Sequence, residues 1–286
     1  MPRISAGIVS YNPDISRLKE NINSILPQVE VIFIVDNSSE NIDEIKKLCI
    51  AEPKVELIEN DDNYGIAKAL NQMSFSAYKA GYDWILTLDQ DTVSPHDLIL
   101  KMQPYMDDKE LGIICPAVYY EGWEKCTATK EPTTYVYACM TSASLTRVEA
   151  WEKVGGFKEE YFIDFVDNEF CMRLKIHGYK VMRVNGCVIH HRLGVVKHVK
   201  FLGLFKINIV VHAPWRFYYI VRNYKLFIDE YKAILPVTKE RIKLMCIISK
   251  AILVNDKRKD TSKYIYYGLK DARRRVYGKM EGVDRV

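Results

Sequence analysis

The sequence predicts an α/β protein with a mostly parallel central sheet covered by helices. Strand-like and helix-like segments alternate from residue 4 to residue 118. The first four strand-like runs all end in polar or acidic residues. The 286 residues, 48% hydrophobic and 27% charged, fit one large domain or a domain with an appendage, and not a disordered chain.

Ile4–Ser10 is a short apolar run rich in β-branched residues, as a first strand requires. Asp14–Leu26 shows helical spacing at Ile15, Leu18, Ile22 and Ile25, with Asp14 after Pro13 as the start signal. Val31–Val35 reads as a strand buried on both faces. Ile42–Cys49 is a short helix and Val55–Ile58 a strand. Gly65–Ala80 is a helix with Ile66, Ala69, Leu70, Met73 and Ala77 on one side. Trp84–Leu88 is the next strand, a helix follows from about Pro95, and Ile113–Val118 is a strand again. Glu121–Thr134 is a polar excursion, and Tyr135–Leu145 reads as a returning strand. Pro214–Tyr231 carries a helical apolar stripe with Arg216, Arg222 and Lys225 off it. Arg241–Val254 is a second basic amphipathic stretch, and Lys270–Met280 a basic tail.

In such sheets ligands bind beyond the carboxyl ends of the strands. Those ends read SYNP (Ser10–Pro13), DNSS (Asp36–Ser39), ENDDNYG (Glu59–Gly65) and DQD (Asp89–Asp91). No GxGxxG follows the first strand and no GxxxxGK[ST] occurs, which argues against a dinucleotide fold and excludes a P-loop. If strand geometry persists, Asp89 and Asp91 project to the same side. Two such carboxylates suit Mg2+ or Mn2+ holding a diphosphate; otherwise they belong to a solvated turn. Asp36 fits either an acceptor for a pyrimidine imide N–H or the start of an Asx turn.

A second acidic cluster is Asp164, Asp167 and Glu169. A helix from Val166 sets Asp167, Phe170, Cys171 and Leu174 on one face, so Asp167 leads the apolar stripe in the first turn. Partial burial there would raise its pKa and suit it to act as a base, while the helix dipole favours its charge. Glu169 has Arg173 four residues on, the spacing of a plain surface ion pair. Asp164 suits a cap or an acceptor partner. His190 and His191 end a strand-like Gly186–Ile189; one of them could complete a metal shell, or both could be structural.

Charge divides the chain. Residues 1–171 carry 15 Lys and Arg against 29 Asp and Glu, and residues 172–286 carry 26 against 8. The basic part suits a polyanionic surface. No apolar run reaches the ~20 residues that cross a bilayer; the nearest, Phe201–Val221, is broken by Lys206, His212, Pro214 and Arg216. No signal-peptide pattern opens the sequence, and seven scattered cysteines without a CxxC pair suit a reducing compartment.

Together these stretches resemble glycosyltransferase family 2, inverting enzymes of the GT-A fold. The motifs VSYNP, VDNSS, NYGIAKALN, LDQDT, GGF and FIDFVDNEFCMRL occur in order, and HRLG (191–194) with WRFYYIVRN (Trp215–Asn223) is similar to the rhamnosyltransferase-like branch. The resemblance spans roughly residues 4–225. It implies a GT-A catalytic domain over 1–200, with a nucleotide-sugar half to about 118 and an acceptor half from about 119. A basic helical extension then covers 201–286. It implies that Asp36 reads the base, that Ser10, Tyr11 and Asn12 line the nucleoside pocket, and that Asn63, Gly65 and Asn71 contact the nucleotide sugar. Asp89 and Asp91 would hold a metal–diphosphate, with His191 as a third ligand and Mg2+ or Mn2+ as cofactor. Asp167 takes the catalytic-base position, with Asp164 or Glu169 as its supporting acid, because Val166 stands where many relatives have an acidic neighbour.

The donor implied is dTDP-rhamnose, with a UDP-hexose or UDP-galactofuranose as the alternative. The acceptor implied is a glycan or polyprenyl-diphosphate-linked glycolipid in bacterial surface polysaccharide synthesis. The expected location is the cytoplasm, on the inner face of an anionic membrane. A nucleotidyltransferase would show a Gly-rich basic loop in place of GIVSYNP. A non-catalytic membrane- or nucleic-acid-binding protein would leave Asp89, Asp91 and Asp167 without a role, and no nucleic-acid motif is present.

Overall fold

The computed structural model describes residues 2–192, 195–201 and 205–281. Its elements in chain order are β1 (Ile4–Ser10), α1 (Ile15–Ile25), β2 (Ile32–Asp36), α2 (Ile42–Ala51), β3 (Val55–Glu59), α3 (Ile66–Lys79), β4 (Trp84–Asp89), α4 (Leu98–Met102), β5 (Leu111–Glu121), β6 (Lys125–Cys126), β7 (Thr133–Val136), β8 (Ser144–Arg147), α5 (Val148–Lys153), α6 (Val166–Ile176), β9 (Lys180–Arg192), β10 (Val195–Phe201), β11 (Phe205–Val211), α7 (Arg216–Glu230), α8 (Val237–Val254) and α9 (Arg258–Arg274). They form two compact units. One comprises residues 1–119, 125–159 and 166–191; the other comprises 120–124, 160–165 and 192–286.

The first unit holds a sheet of order β3-β2-β1-β4-β8-β5-β9-β7, with β6 paired to β5. The strands β3, β2, β1 and β4 are parallel, while β8 runs antiparallel to β4 and β5, and β7 to β9. The parallel reading therefore holds for the first four strands, and the sheet is mixed beyond them. Those strands form one end of the order, with β3 at the edge, and Ala6, Ile8, Ile32, Ile34, Trp84 and Leu86 of β1, β2 and β4 are fully buried. Helix α3 packs closely on β1: a Cβ at Gly7 would come within 2.2 Å of Met73 Sδ. The strand order reverses at β1, which sits between β2 and β4. That reversal is the switch point where such sheets open a crevice.

Two expected elements differ. The helix after Asp91 begins at Leu98, not Pro95, and lasts five residues. Pro104 lacks the N–H that would continue it, and a 3-10 turn over Gln103–Tyr105 takes over. Tyr135–Leu145 is not one strand. Its ends belong to β7 and β8, and between them Ser144 N donates to Thr141 O at 3.1 Å while Ala143 takes φ 59°. Apolar composition does not reveal that turn.

The second unit pairs β10 with β11 antiparallel and gathers α7, α8 and α9. Arg222 is fully buried, against its expected place on the polar side of the helix. It donates to Gly278 O at 2.6 Å and to Tyr161 O at 3.4 Å. Asn223 Nδ2 lies 2.7–2.9 Å from the carbonyls of Tyr161, Ile163 and Asp164. The loop so held carries positive φ at Phe162, Asp164 and Phe165, none of them glycine. The basic tail is likewise anchored: Gly278 N donates to Glu160 O at 2.8 Å and Met280 N to Tyr219 Oη at 2.9 Å.

Candidate active site

The switch point collects the ends of β1, β2 and β4. Ser10 lies in register with Asp36, and Val9 with Asp89. Ser10 Oγ donates to Asp36 Oδ1 at 2.8 Å, while Ser39 donates to Asp36 through Oγ at 2.5 Å and through N at 2.8 Å. Asp36 is 1% exposed, so its carboxylate anchors the turn that the DNSS sequence allowed. A base reaching it must share oxygens already accepting three bonds. Tyr11 and Asn12 stand at the rim: Tyr11 N donates to Gln90 Oε1 at 2.8 Å, and Asn12 N to Ser39 Oγ at 2.8 Å.

The DQD triplet is not an extended strand end. β4 stops at Asp89, and Thr92 N bonds Asp89 O at 3.2 Å, closing a turn. Asp89 and Asp91 therefore do not share a strand face by i, i+2 alternation, since Asp91 sits within that turn. The turn is braced instead through its backbone. Asn21 Nδ2 donates to Asp89 O at 2.7 Å, Arg17 Nε to Asp91 O at 2.8 Å, and Asp89 N to Ser142 Oγ at 3.0 Å. Arg17, Asn21, Gln90 and Ser142 were not singled out in the sequence. The available signal was Asn21, a polar residue at a buried position of the α1 stripe.

Among the described residues no group of three or more His, Cys, Asp or Glu side chains is gathered to hold a metal ion. The three-ligand set Asp89, Asp91 and His191 is thus not assembled. His190 packs its ring on Tyr119 at 5.1 Å, and the HRLG stretch runs partly outside the described residues at 193–194. The carboxylates by themselves fit a hard cation, because Mg2+ is commonly bound by one or two carboxylates plus substrate phosphates.

Asn63 Oδ1 accepts Gly65 N at 3.0 Å and shapes the entry to α3. Asn71 is spent elsewhere. Its Oδ1 accepts from Trp151 Nε1 and Phe157 N, and its Nδ2 donates to Phe157 O and Glu159 Oε1, all within 3.1 Å. Those four bonds saturate an amide side chain. Asn71 therefore brackets the GGF loop, and contact with a nucleotide sugar would break one of its bonds. Gly156 in that loop has φ 73°, and a Cβ there would meet Asn71 Oδ1 at 2.7 Å.

Helix α6 starts at Val166 and buries Phe170, Cys171 and Leu174, the face that Asp167 leads. Asp167 is half-buried in the first turn, and Asn168 N donates to its Oδ1 at 2.9 Å. It shares a void of about 10 Å3 with Cys139, Thr141, Phe157 and Cys171, too tight a space for a bound molecule. A hydrogen bond with Cys115 holds the Cys139 thiol well above the usual range, and one with Cys139 does the same for Cys171, burial adding to both. Both shifts disfavour the thiolate, the nucleophilic form of cysteine.

Glu169 is fully buried and gripped by Arg173, so the expected ion pair is internal and not on the surface. Asp164 belongs to the second unit, where Arg216 Nη2 reaches its Oδ1 at 3.0 Å.

Residues 5–171 match the profile of Glycosyl transferase family 2. The chain belongs to that family. It is a glycosyltransferase. The chain is 32% identical over 272 residues to the dTDP-rhamnosyl transferase RfbF of Shigella flexneri, covering 90% of each. In fold it is similar to residues 1–349 of S. aureus TarS in complex with UDP-GlcNAc, with TM-score 0.62 and 14% identity over 96% of this chain and 81% of that one. It is also similar to GalNAc-T7 with UDP, GalNAc and Mn2+, with TM-score 0.58 and 15% identity over 95% of this chain and 56% of that one.

Proposed function

We propose that this glycosyltransferase moves L-rhamnose from dTDP-rhamnose to a hydroxyl of a glycan or polyprenyl-diphosphate-linked glycolipid, in bacterial surface polysaccharide synthesis. The observation that carries the donor is the near-full-length similarity to a dTDP-rhamnosyl transferase. The chemistry is a single displacement with inversion. Asp167 takes the proton of the acceptor hydroxyl as general base. The hydroxyl oxygen forms the bond to the anomeric carbon, while the bond from that carbon to the diphosphate breaks and dTDP leaves with the electron pair. Mg2+ or Mn2+ held by Asp89 and Asp91 would offset charge on the departing diphosphate. Tyr11, Asn12 and the Ser10–Asp36 pair form the floor and rim for the nucleoside, and Asn63 and Gly65 shape the wall beside it. The acceptor lipid places the enzyme at the cytoplasmic face of an anionic membrane.

The test is thermal stabilisation by dTDP-rhamnose, dTDP, UDP-glucose and UDP-galactofuranose, each with and without Mn2+ or Mg2+. A metal-dependent rise with the dTDP compounds, abolished by Asp91→Ala, supports the reading. A larger rise with a UDP-sugar would replace the donor, and no rise with any nucleotide would overturn it.

A further inference from the structure

Helix α8 has an unusual distribution of side chains. Only Glu240, Leu244 and Ala251 of its 18 residues are buried, although much of the helix is apolar. Its outward face carries Ile242, Met245, Cys246, Ser249 and Leu253, which follow the spacing i, i+3, i+4, i+7, i+11 of one helical stripe. Ile242 is 56%, Met245 67% and Leu253 66% exposed. Opposite that stripe lies the buried row. Lys239, Lys243 and Lys250 form a line along one flank, and Arg241 stands on the other; all four are exposed. The helix has one acid, Glu240, and it is turned inward to Tyr224 Oη at 2.6 Å and Lys243 Nζ at 2.6 Å. The exposed surface of α8 is therefore mainly apolar and cationic, with the neutral Thr238 and Ser249 and no acid.

We infer that this face of α8 is the surface by which the protein lies on an anionic bilayer, with Ile242, Met245 and Leu253 entering the acyl boundary and Lys239 and Lys250 meeting lipid phosphates. A helix with an exposed apolar stripe beside a cationic row is the arrangement that binds in the plane of an interface. No helix among the described residues is long and apolar enough to span a membrane. A second copy fits this face poorly. A two-fold contact would bring cations together with no acid on the face to pair them. The other basic segments are less suited: ten of the fifteen residues of α7 are buried, and the tail is pinned at Gly278 and Met280. The biological use of this face rests on the lipid-linked acceptor proposed above, but the binding itself does not.

The experiment is flotation of the whole chain with phosphatidylcholine vesicles and with vesicles containing phosphatidylglycerol. The chain is expected to float with the second and not the first, and to be released by salt. Ile242→Asp and Leu253→Asp should each weaken partitioning about tenfold or more, by loss of buried apolar area. Lys239→Gln with Lys250→Gln should weaken it roughly thirtyfold. Lys19→Gln with Lys47→Gln makes the same charge change elsewhere and should leave it intact. Thermal stabilisation by dTDP-rhamnose, measured on every variant, shows that each is folded and reports on the donor reading separately. The inference is overturned if the native chain ignores phosphatidylglycerol, if the α8 variants float as well as it does, or if Leu253→Asp splits a dimer without altering flotation.

Discussion

Arg173 grips Glu169 with both arms, Nε to Oε1 and Nη2 to Oε2, each at 2.7 Å. Arg173 also donates to Val154 O at 2.6 Å, so this fork ties α6 to the segment after α5. Removing the arginine leaves a fully buried carboxylate without its cation. Arg173→Ala should cost about 3–5 kcal/mol. Urea unfolding measures it, and the double variant Arg173→Met with Glu169→Leu should recover much of the loss.

Asp167→Asn keeps the shape of the first turn of α6 and removes the base. Turnover should fall by about 10^2–10^4-fold. Stabilisation by dTDP-rhamnose should persist, because the substitution lies outside the β1, β2 and β4 strand ends. Steady-state kinetics beside a melting curve separate the two effects. Unchanged turnover would remove Asp167 from the mechanism.

Arg17 supports the carboxylate turn through backbone alone, at Asp91 O. Arg17→Ala should therefore loosen donor binding without touching the base. A bond from a charged donor is worth about 1.5–3 kcal/mol, and partial exposure puts this one at the low end, near a tenfold rise in the KM for donor. Turnover at saturating donor should change little.

Asn71→Ala removes four hydrogen bonds around the GGF loop. The expected loss is about 2–4 kcal/mol of stability, since buried partners lose their bonds together. A rise in donor KM with an unchanged melting temperature would instead make Asn71 a nucleotide contact.

Burial holds the His212 imidazole below its ordinary pKa; nearby Arg216 adds to the effect and Asp164 opposes it. The unfolded chain then binds more protons than the folded one just below the unfolded pKa of ~6.5. Stability from this group is present above that pH and is lost as pH falls toward the folded value. His212→Phe should flatten the acid side of the stability curve from about pH 6.5 downward. Denaturant melts across that range test it.

Strands β1, β2 and β4 and the polar rim were legible because parallel strands buried on both faces give unbroken apolar runs, as in Val31–Val35. The start of α6 and the inward face led by Asp167 were equally readable from helical spacing. The antiparallel half was harder, since β7 and β8 are four residues each and the turn between them rests on hydrogen bonds that sequence does not display. The sequence marks Asp36, Asn71 and Glu169 without placing them. Spacing offered Arg173 as the partner of Glu169, and DNSS allowed a turn at Asp36, but the burial of both carboxylates and the bonds of Asn71 to Phe157 are seen only in the fold. Arg222 shows the same limit, because a cation off the apolar stripe reads as solvated until a backbone carbonyl is found to meet it.

The chain enters the second unit three times, at 120–124, 160–165 and from 192 onward. The middle visit supplies the loop whose carbonyls Asn223 and Arg222 hold. The C-terminal segment is therefore not a cassette that recombination could trade between relatives at a single junction. A hybrid joined near residue 200 would bring a foreign α7 to a native loop. Three left-handed residues would then depend on contacts that a different parent had shaped. Specificity in such enzymes would have to drift by point substitution, with the loop and α7 changing in step.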